Sequence, residues 1–292
     1  MTGDGPAVVA IGGGHGLATS LAAIRRYAGR ITAVVSVADD GGSSGRLREL
    51  LGIPAPGDLR KCLGALLPSP SPLGRALEHR FAGGGELDGH AFGNLLIAAL
   101  AATRGDFVAG VEEACRLLGT VGSVLPATNG PVVLKAEAAG SELEGQVRIM
   151  GTPGVTHVSL VPPDAAAPQE VLDAIEHADQ VVLGPGSLYT SVLAACAPVE
   201  VNEAIASSAA ACVYVCNLRE QVPETAGYDV AAHVAALEAH WIEPDWVLAD
   251  TSGMALGDVP PGSRVVTAAL AAPGGLVHDA ALLEAALRRA VL

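Results

Sequence analysis

The chain has 292 residues, with 17 lysines and arginines against 31 aspartates and glutamates and a formal charge of −14 at pH 7. Half of the residues are hydrophobic and 3% are aromatic, which excludes an intrinsically disordered chain and leaves too few rings for a base-stacking surface. A chain this acidic, with no run of basic residues, repels a nucleic-acid backbone, so no nucleic-acid partner is expected.

Other classes are disfavoured on the same page. The longest fully apolar stretch, 95–102, is 8 residues, too short for a membrane span. The opening Met1-Thr2-Gly3-Asp4 lacks the basic region of a secretory signal. Five cysteines are an odd and sparse set for a disulfide framework. A cytoplasmic location is expected.

In chain order, residues 7–11 form an apolar run of strand length and glycines follow at once. Leu17, Leu21 and Ile24, spaced by four and three, predict a helix over about 17–27. A second apolar run at 31–37 completes a β-α-β unit, and both runs are continuous, as strands covered on both faces are. Residues 58–120 then read as helical, with candidates at 58–67, 73–81, 91–103 and 107–118 and loops at 68–72 and 83–85. This predicts one domain over 1–292 with a helical insertion over about 53–122. Further strands are predicted at 132–136, 157–161, 180–183, 211–215 and 246–249. Helices are predicted at 168–177, 188–196, 200–208 and 229–240, and a last one over 279–291 with Asp279 as its cap. The expected class is α/β, with a mostly parallel sheet and helices on both faces. Ligands of such sheets bind outside the carboxyl ends of the strands.

Four segments at strand ends carry chemistry-bearing residues. Gly12-Gly13-Gly14-His15-Gly16 follows the first strand and opens a helix; glycines admit a ligand close to the backbone and free helix N–H groups favour a phosphate. Leu17 stands where a dinucleotide fingerprint has its third glycine, and the Lys and Ser/Thr of a P-loop are absent. The same glycines would also serve a purely steric turn. After the second strand comes Asp39-Asp40-Gly41-Gly42-Ser43-Ser44-Gly45-Arg46, with Asp39 23 residues beyond Gly16, near the distance of a ribose-binding acid. Ser43, Ser44 and Arg46 suit a phosphate, and Asp40 suits Mg²⁺ or a sugar hydroxyl; the alternative is an exposed acidic turn. Gly57-Asp58-Leu59-Arg60-Lys61 adds two cations at the next helix start.

A third junction, Gly184-Pro185-Gly186-Ser187-Leu188-Tyr189-Thr190-Ser191, repeats the strand–glycine–helix pattern, with Ser187 as cap or ligand contact. His90 and Asn94 lie one helical turn apart, His90 better suited to a helix start and Asn94 to a ligand. Asn217 and Arg219 follow the 211–215 strand, with surface charge the alternative for Arg219. Cys212 and Cys216 share a strand face, which means packing. The chain has no zinc spacing, nucleophile elbow or H-E-x-x-H pair.

These blocks, in this order, resemble the gluconeogenesis-factor (YvcK-like) family. The residues that carry the likeness are Val9-Ala10-Ile11-Gly12-Gly13-Gly14-x-Gly16, then 38–48, then Pro56-Gly57-Asp58-Leu59-Arg60-Lys61-Cys62-Leu63, Gly93-Asn94-Leu95, 184–191 and Cys216-Asn217-Leu218. The resemblance covers roughly 7–250 and implies a Rossmann-like three-layer fold related to CofD, the 2-phospho-L-lactate transferase of deazaflavin-cofactor synthesis. It further implies binding of a UDP-sugar such as UDP-N-acetylglucosamine without an established reaction, and links to cell shape, morphogenesis, cell-wall precursor supply and growth on gluconeogenic carbon. Gly41-Gly42-Ser43-Ser44-Gly45 favours the regulatory branch over the transferase branch. The chain departs from its relatives at His15, usually threonine, at Val222-Pro223-Glu224-Thr225, usually Pro-Gly-Glu-Thr, and over 194–198.

The leading expectation is therefore a nucleotide-sugar-binding regulator that acts through a protein partner, with Mg²⁺ the one candidate cofactor. The second is a CofD-like transferase with Mg²⁺ near Asp40, since positioned cations and a metal catalyse phosphoryl chemistry without a nucleophile. An NAD-dependent oxidoreductase is a third, opposed by the missing glycine. The alanine-rich helices point to a homodimer.

Overall fold

A computed structural model describes residues 5–68 and 72–290. The chain opens with β1 (Ala7–Gly12), α1 (Gly14–Ile24) and β2 (Arg30–Val35), the predicted β-α-β unit. Five helices follow: α2 (Gly42–Leu51), α3 (Gly57–Ala65), α4 (Pro72–Glu78), α5 (Phe92–Arg104) and α6 (Phe107–Leu118). The helical stretch thus begins at Gly42, not near 53, because Gly41-Gly42-Ser43-Ser44, read as a loop, is the first turn of α2. Part of the loop expected at 68–72 lies outside the described residues.

After β3 (Ser123–Pro126) the chain leaves the main sheet for β4 (Val133–Ala138), β5 (Ser141–Glu144), α7 (Gln146–Met150) and β6 (Val155–Val161). It returns through α8 (Gln169–Glu176) to β7 (Gln180–Leu183). A π-helical segment, Leu188–Leu193, runs into α9 (Ala194–Cys196) and is followed by α10 (Val199–Ser207). The last elements are β8 (Ala211–Val215), α11 (Val230–Glu238), β9 (Trp246–Ala249), β10 (Arg264–Thr267) and α12 (Ala280–Arg289). Asp279 caps α12 as expected, its Oδ1 accepting from Ala281 N at 2.8 Å; Val291, the expected helix end, lies outside the described residues.

Seven strands pair in the order β10-β9-β8-β7-β1-β2-β3, every pairing parallel. The sheet is the predicted α/β core. The strands expected at 132–136 and 157–161 are not part of it: β4 pairs antiparallel with both β5 and β6 in a separate three-stranded sheet. Over Val158–Val161 the burial of β6 alternates, as a strand with one wet face must, whereas β7 is buried throughout.

Connection handedness distributes the helices. From β1 the chain moves to β2 on one side, and from β7 to β8 on the other. Right-handed crossovers then put α1 on one face and α10 on the opposite one. α12 packs on α1, and α8 on α10, so both faces are covered. Gln180, wholly buried in β7, is satisfied by Tyr27 Oη and Leu287 O. No single described helix is long and apolar enough to cross a membrane.

Candidate functional site

The strand order reverses between β1 and β7, where the chain turns outward to opposite sides of the sheet. A cavity of about 340 Å³ lies there, lined by the β1 loop, Asp39, Asp58 and Lys61 of α3, and Ser187, Thr190 and Ser191 of the β7 loop. A second cavity of about 280 Å³ shares His15, Gly16, Gly186 and Gln221 with it and extends past Asn217 and Arg219 to Leu276 and His278. The loops after β1, β2, β7 and β8 therefore meet at one rim.

The β1 loop presents backbone. Gly13 is the N-cap of α1, no side chain caps it, and the first turn holds no acid. The initial N–H groups and the positive end of the helix are left for a ligand. Gly16 is required by a close approach: a Cβ there would sit 2.2 Å from the carbonyl oxygen of Pro185. Ser20 Oγ fastens the same two loops, donating to Gly184 O at 2.6 Å. His15 is exposed at the mouth of both cavities.

The segment after β2 divides. Asp39 lines the cavity, accepts from Gly41 N at 2.9 Å and is hydrogen-bonded by Ser44. Burial lifts its carboxyl above the ordinary range and the nearby Asp58 adds to the rise, against Gly41, Ser44 and Lys61. Asp40, the expected Mg²⁺ ligand, turns elsewhere: its Oδ1 accepts from Val147 N at 2.9 Å and so holds the start of α7. Ser43 and Asn94 also do not line the cavity. Asn94 Nδ2 donates to Ser43 Oγ at 3.1 Å, Ser43 Oγ meets His90 Nδ1 at 3.1 Å, and Arg60 Nε donates to Asn94 Oδ1 at 3.1 Å. All four side chains are buried, so this network joins α2, α3 and α5. Gly45 lies in the same turn, where a Cβ would meet Asp40 O at 2.1 Å. Arg46 donates to Asp88 O at 2.6 Å on the far side of α2.

The β7 loop is braced from behind. Gly186 N donates to Asn217 Oδ1 at 3.1 Å and Asn217 Nδ2 donates to Gly186 O at 2.8 Å. Thr190 N donates to Glu224 Oε1 at 2.9 Å. These backbone groups are thus consumed, and the loop offers the cavity side chains rather than a free helix end. Tyr189 turns away from the cavity, its hydroxyl 2.9 Å from that of Tyr228. Arg219 is exposed and lines the second cavity.

Several lining residues were not predicted as site residues. Asp58 and Lys61 stand in a motif noted in the sequence, and their pairing, Lys61 Nζ to Asp58 Oδ1 at 3.0 Å, places the chain's rarer cation in the cavity. Gln146 and Met150 come from α7 of the small sheet, Gln146 Nε2 donating to Thr190 O at 3.1 Å; no local pattern marks them. Among the described residues no cluster of three or more His, Cys, Asp or Glu side chains is placed to hold a metal. Asp39 and Asp58 supply two carboxylates, a donor set that Mg²⁺ accepts only with phosphate oxygens and water beside it.

Comparison with known proteins agrees with this fold. Residues 8–259 match the family described as 2-phospho-L-lactate transferase CofD. The chain is 40% identical to the gluconeogenesis factor of Bacillus subtilis over 240 residues, 82% of this chain and 76% of that one. It is 43% identical to a relative in Nostoc sp. over 237 residues, 80% of this chain and 52% of the relative. With 54% of the Deinococcus radiodurans relative covered, the chain spans about half the length of these two curated relatives. A crystal structure of a UPF0052 family protein from Bacillus halodurans superposes with a TM-score of 0.92 at 36% identity, covering 98% of this chain and 99% of that one. By fold, by motif order and by these matches, the chain belongs to the CofD family, within its gluconeogenesis-factor group.

Proposed function

We propose that this chain is a regulatory protein that binds a nucleotide sugar of the UDP-N-acetylglucosamine type. The observation that carries the reading is the uncapped N-terminus of α1 opposite Lys61, in a cavity that continues into a second groove. A pyrophosphate would lie against α1 and Lys61, and the rest of the ligand would run past Gly186 toward Asn217 and Arg219. The contacts proposed are Gly12 to Gly16, Asp39, Lys61, Ser187, Thr190, Asn217 and Arg219. The same reading places the protein in the cytoplasm, as a homodimer, adjusting cell-wall precursor supply and cell shape through a protein partner. Calorimetry with UDP-N-acetylglucosamine, GDP and NAD is the test. Saturable binding of the UDP-sugar that Lys61→Ala weakens supports it, and no saturation at millimolar ligand rejects it.

A CofD-like transferase is the second reading, favoured by the paired carboxylates of Asp39 and Asp58 at the cavity. Mg²⁺ held there would neutralise charge developing on a transferred phosphoryl group. In that case Asp39 and Asp58 hold the ion, Lys61 and the α1 backbone orient the phosphates, and α7 shields them from water. A deazaflavin acceptor incubated with an activated phospho-lactate donor gains mass if this is correct; an unchanged acceptor excludes it.

A further inference from the structure

A cavity of about 510 Å³ lies across the π-helical segment from the candidate site: Thr190 and Ser191 line the first cavity, and Leu193 lines this one. Its size is that of a pocket for a small organic molecule. The buried part of its lining is apolar, made by Leu160, Leu193, Cys196 and Ile242. One wall is aromatic. The rings of His157 and His240 stack at 4.6 Å with 7° between their planes, and Trp241 stands edge-on to His157 at 6.4 Å. His240 is uncharged and spent within the fold: its Nδ1 donates to Ala236 O at 2.7 Å and its Nε2 accepts from Val158 N at 3.0 Å.

Trp241 is the unexpected member of this wall. At the end of α11, Ile242 N donates to Leu237 O at 3.1 Å and Trp241 N to Glu238 O at 2.9 Å, a helix-ending pattern whose left-handed position glycine normally fills. Trp241 holds that position with a φ of 59° and is 74% exposed. A bulky residue is strained there, and so exposed a ring recovers little of that strain by packing. The fold therefore does not account for a tryptophan at this place. The polar groups beside it favour a donor. Glu203 brings a carboxylate, and Asn202 spends its Nδ2 on His240 O at 2.9 Å and keeps Oδ1 as an acceptor. Among the described residues that line the cavity there is no lysine or arginine.

From this arrangement we propose that the cavity is a second small-molecule site, separate from the nucleotide-sugar cavity, and that it takes a flat aromatic ring carrying an ammonium group. The ring lies against Trp241 and the histidines, over the apolar lining. The ammonium turns to Glu203 and Asn202 Oδ1, where its N–H groups find acceptors and the indole adds cation–π attraction. An anionic ligand of the same shape would face the Glu203 carboxylate with no lysine or arginine to hold it, in a chain of net charge −14. The inference stands independently of the anion-binding reading of the first cavity.

The chain has two tryptophans, so spectra of the whole ¹⁵N-labelled protein carry two indole signals, and Trp241→Gly tells them apart. Phenethylamine is the probe; 3-phenylpropionate, the same body with the opposite charge, is the control. Phenethylamine is expected to shift the Trp241 signal saturably at about millimolar concentration, as suits so small a ligand, and to leave the Trp246 signal in place. The control is expected to shift neither. Glu203→Gln should weaken binding of the amine several-fold. Trp241→Gly should abolish it, read by saturation transfer to the probe, and should melt no lower than the wild type, because glycine is at home in that backbone position. No saturable shift, or equal affinity for probe and control, overturns the inference. So does a Trp241→Gly chain that melts well below the wild type, which would give the ring a role in the fold. A Trp241 signal that moves on dilution without any probe would show a second copy of the chain covering the ring, and overturns it likewise.

Discussion

Asn217 grips Gly186 by both of its backbone polar groups, accepting from the N–H at 3.1 Å and donating to the carbonyl at 2.8 Å. A side chain at the end of β8 thereby fixes the loop that leaves β7, and the wall between the two cavities depends on it. Asn217→Ala removes both bonds and is expected to cost about 2 kcal/mol of stability. Its larger effect is on binding, since the freed loop loses its shape. Urea melts and calorimetry with UDP-N-acetylglucosamine, run in parallel, separate the two effects.

Gly16 tolerates no side chain. Its Cβ would lie 2.2 Å from Pro185 O and 2.9 Å from Gly186 Cα, so Gly16→Ala must push the β1 and β7 loops apart. A loss of roughly 2–3 kcal/mol is expected, together with loss of ligand binding. An alanine variant as stable as the wild type in urea would show that the two loops do not touch in solution.

Asp58 and Lys61 make opposite predictions. Lys61 offers its ammonium to the cavity while Asp58 holds it at 3.0 Å. Lys61→Ala should weaken pyrophosphate binding about 10- to 100-fold through loss of a charge-assisted contact. In metal-free buffer Asp58→Asn should tighten it several-fold, because a competing negative charge is gone. If Asp58 is a Mg²⁺ ligand, the same variant loses any metal dependence of binding. Titrations with and without a chelator distinguish these outcomes.

Asp250 ties the 270–271 segment to the end of β9. It accepts from Leu270 N at 2.8 Å, Ala271 N at 3.1 Å and Ser252 N at 3.0 Å. Burial acts to raise its carboxyl, but the bonds from Ser252, Leu270 and Ala271 together outweigh it and hold the group at about 2. An unfolded aspartate titrates near 3.9. Its stabilisation is therefore complete above that value and disappears as pH falls through the folded value near 2. Asp250→Asn is expected to cost about 2 kcal/mol at neutral pH and little at pH 2, which urea melts across that range will show.

Much of the site could be read before the fold was known. Glycine runs directly after apolar strands mark the β1 and β7 loops, because a helix start next to a ligand needs backbone without side chains. Asn217 is likewise found by its place after a strand. The segment after β2 misleads for a physical reason: Gly41-Gly42-Ser43-Ser44 has the composition of a turn, yet α2 begins there because Ser43 is held by Asn94 and His90. Local composition cannot register such distant partners. The same holds for Asp39 and Asp40, adjacent in sequence, one at the cavity and the other on α7. The small antiparallel sheet was hidden because 132–136 and 157–161 are apolar enough to pass as core strands. The alternation in β6 was the available signal. Gln146 and Met150 reach the cavity only through that sheet.

The position of β1 inside the parallel sheet, between β7 and β2, also bears on how the molecule assembles. One neighbour, β2, is made almost at once, but the other must wait: Ala7 N donates to Asp179 Oδ2, 172 residues along the chain, where β7 begins. Until synthesis has passed that point, β1 carries an open, apolar edge. Closing so long a loop is slow, and the half-made chain is prone to pair with the wrong strand. Nascent molecules are thus at their most vulnerable late, when most of the helices have emerged, and chaperone demand should peak there.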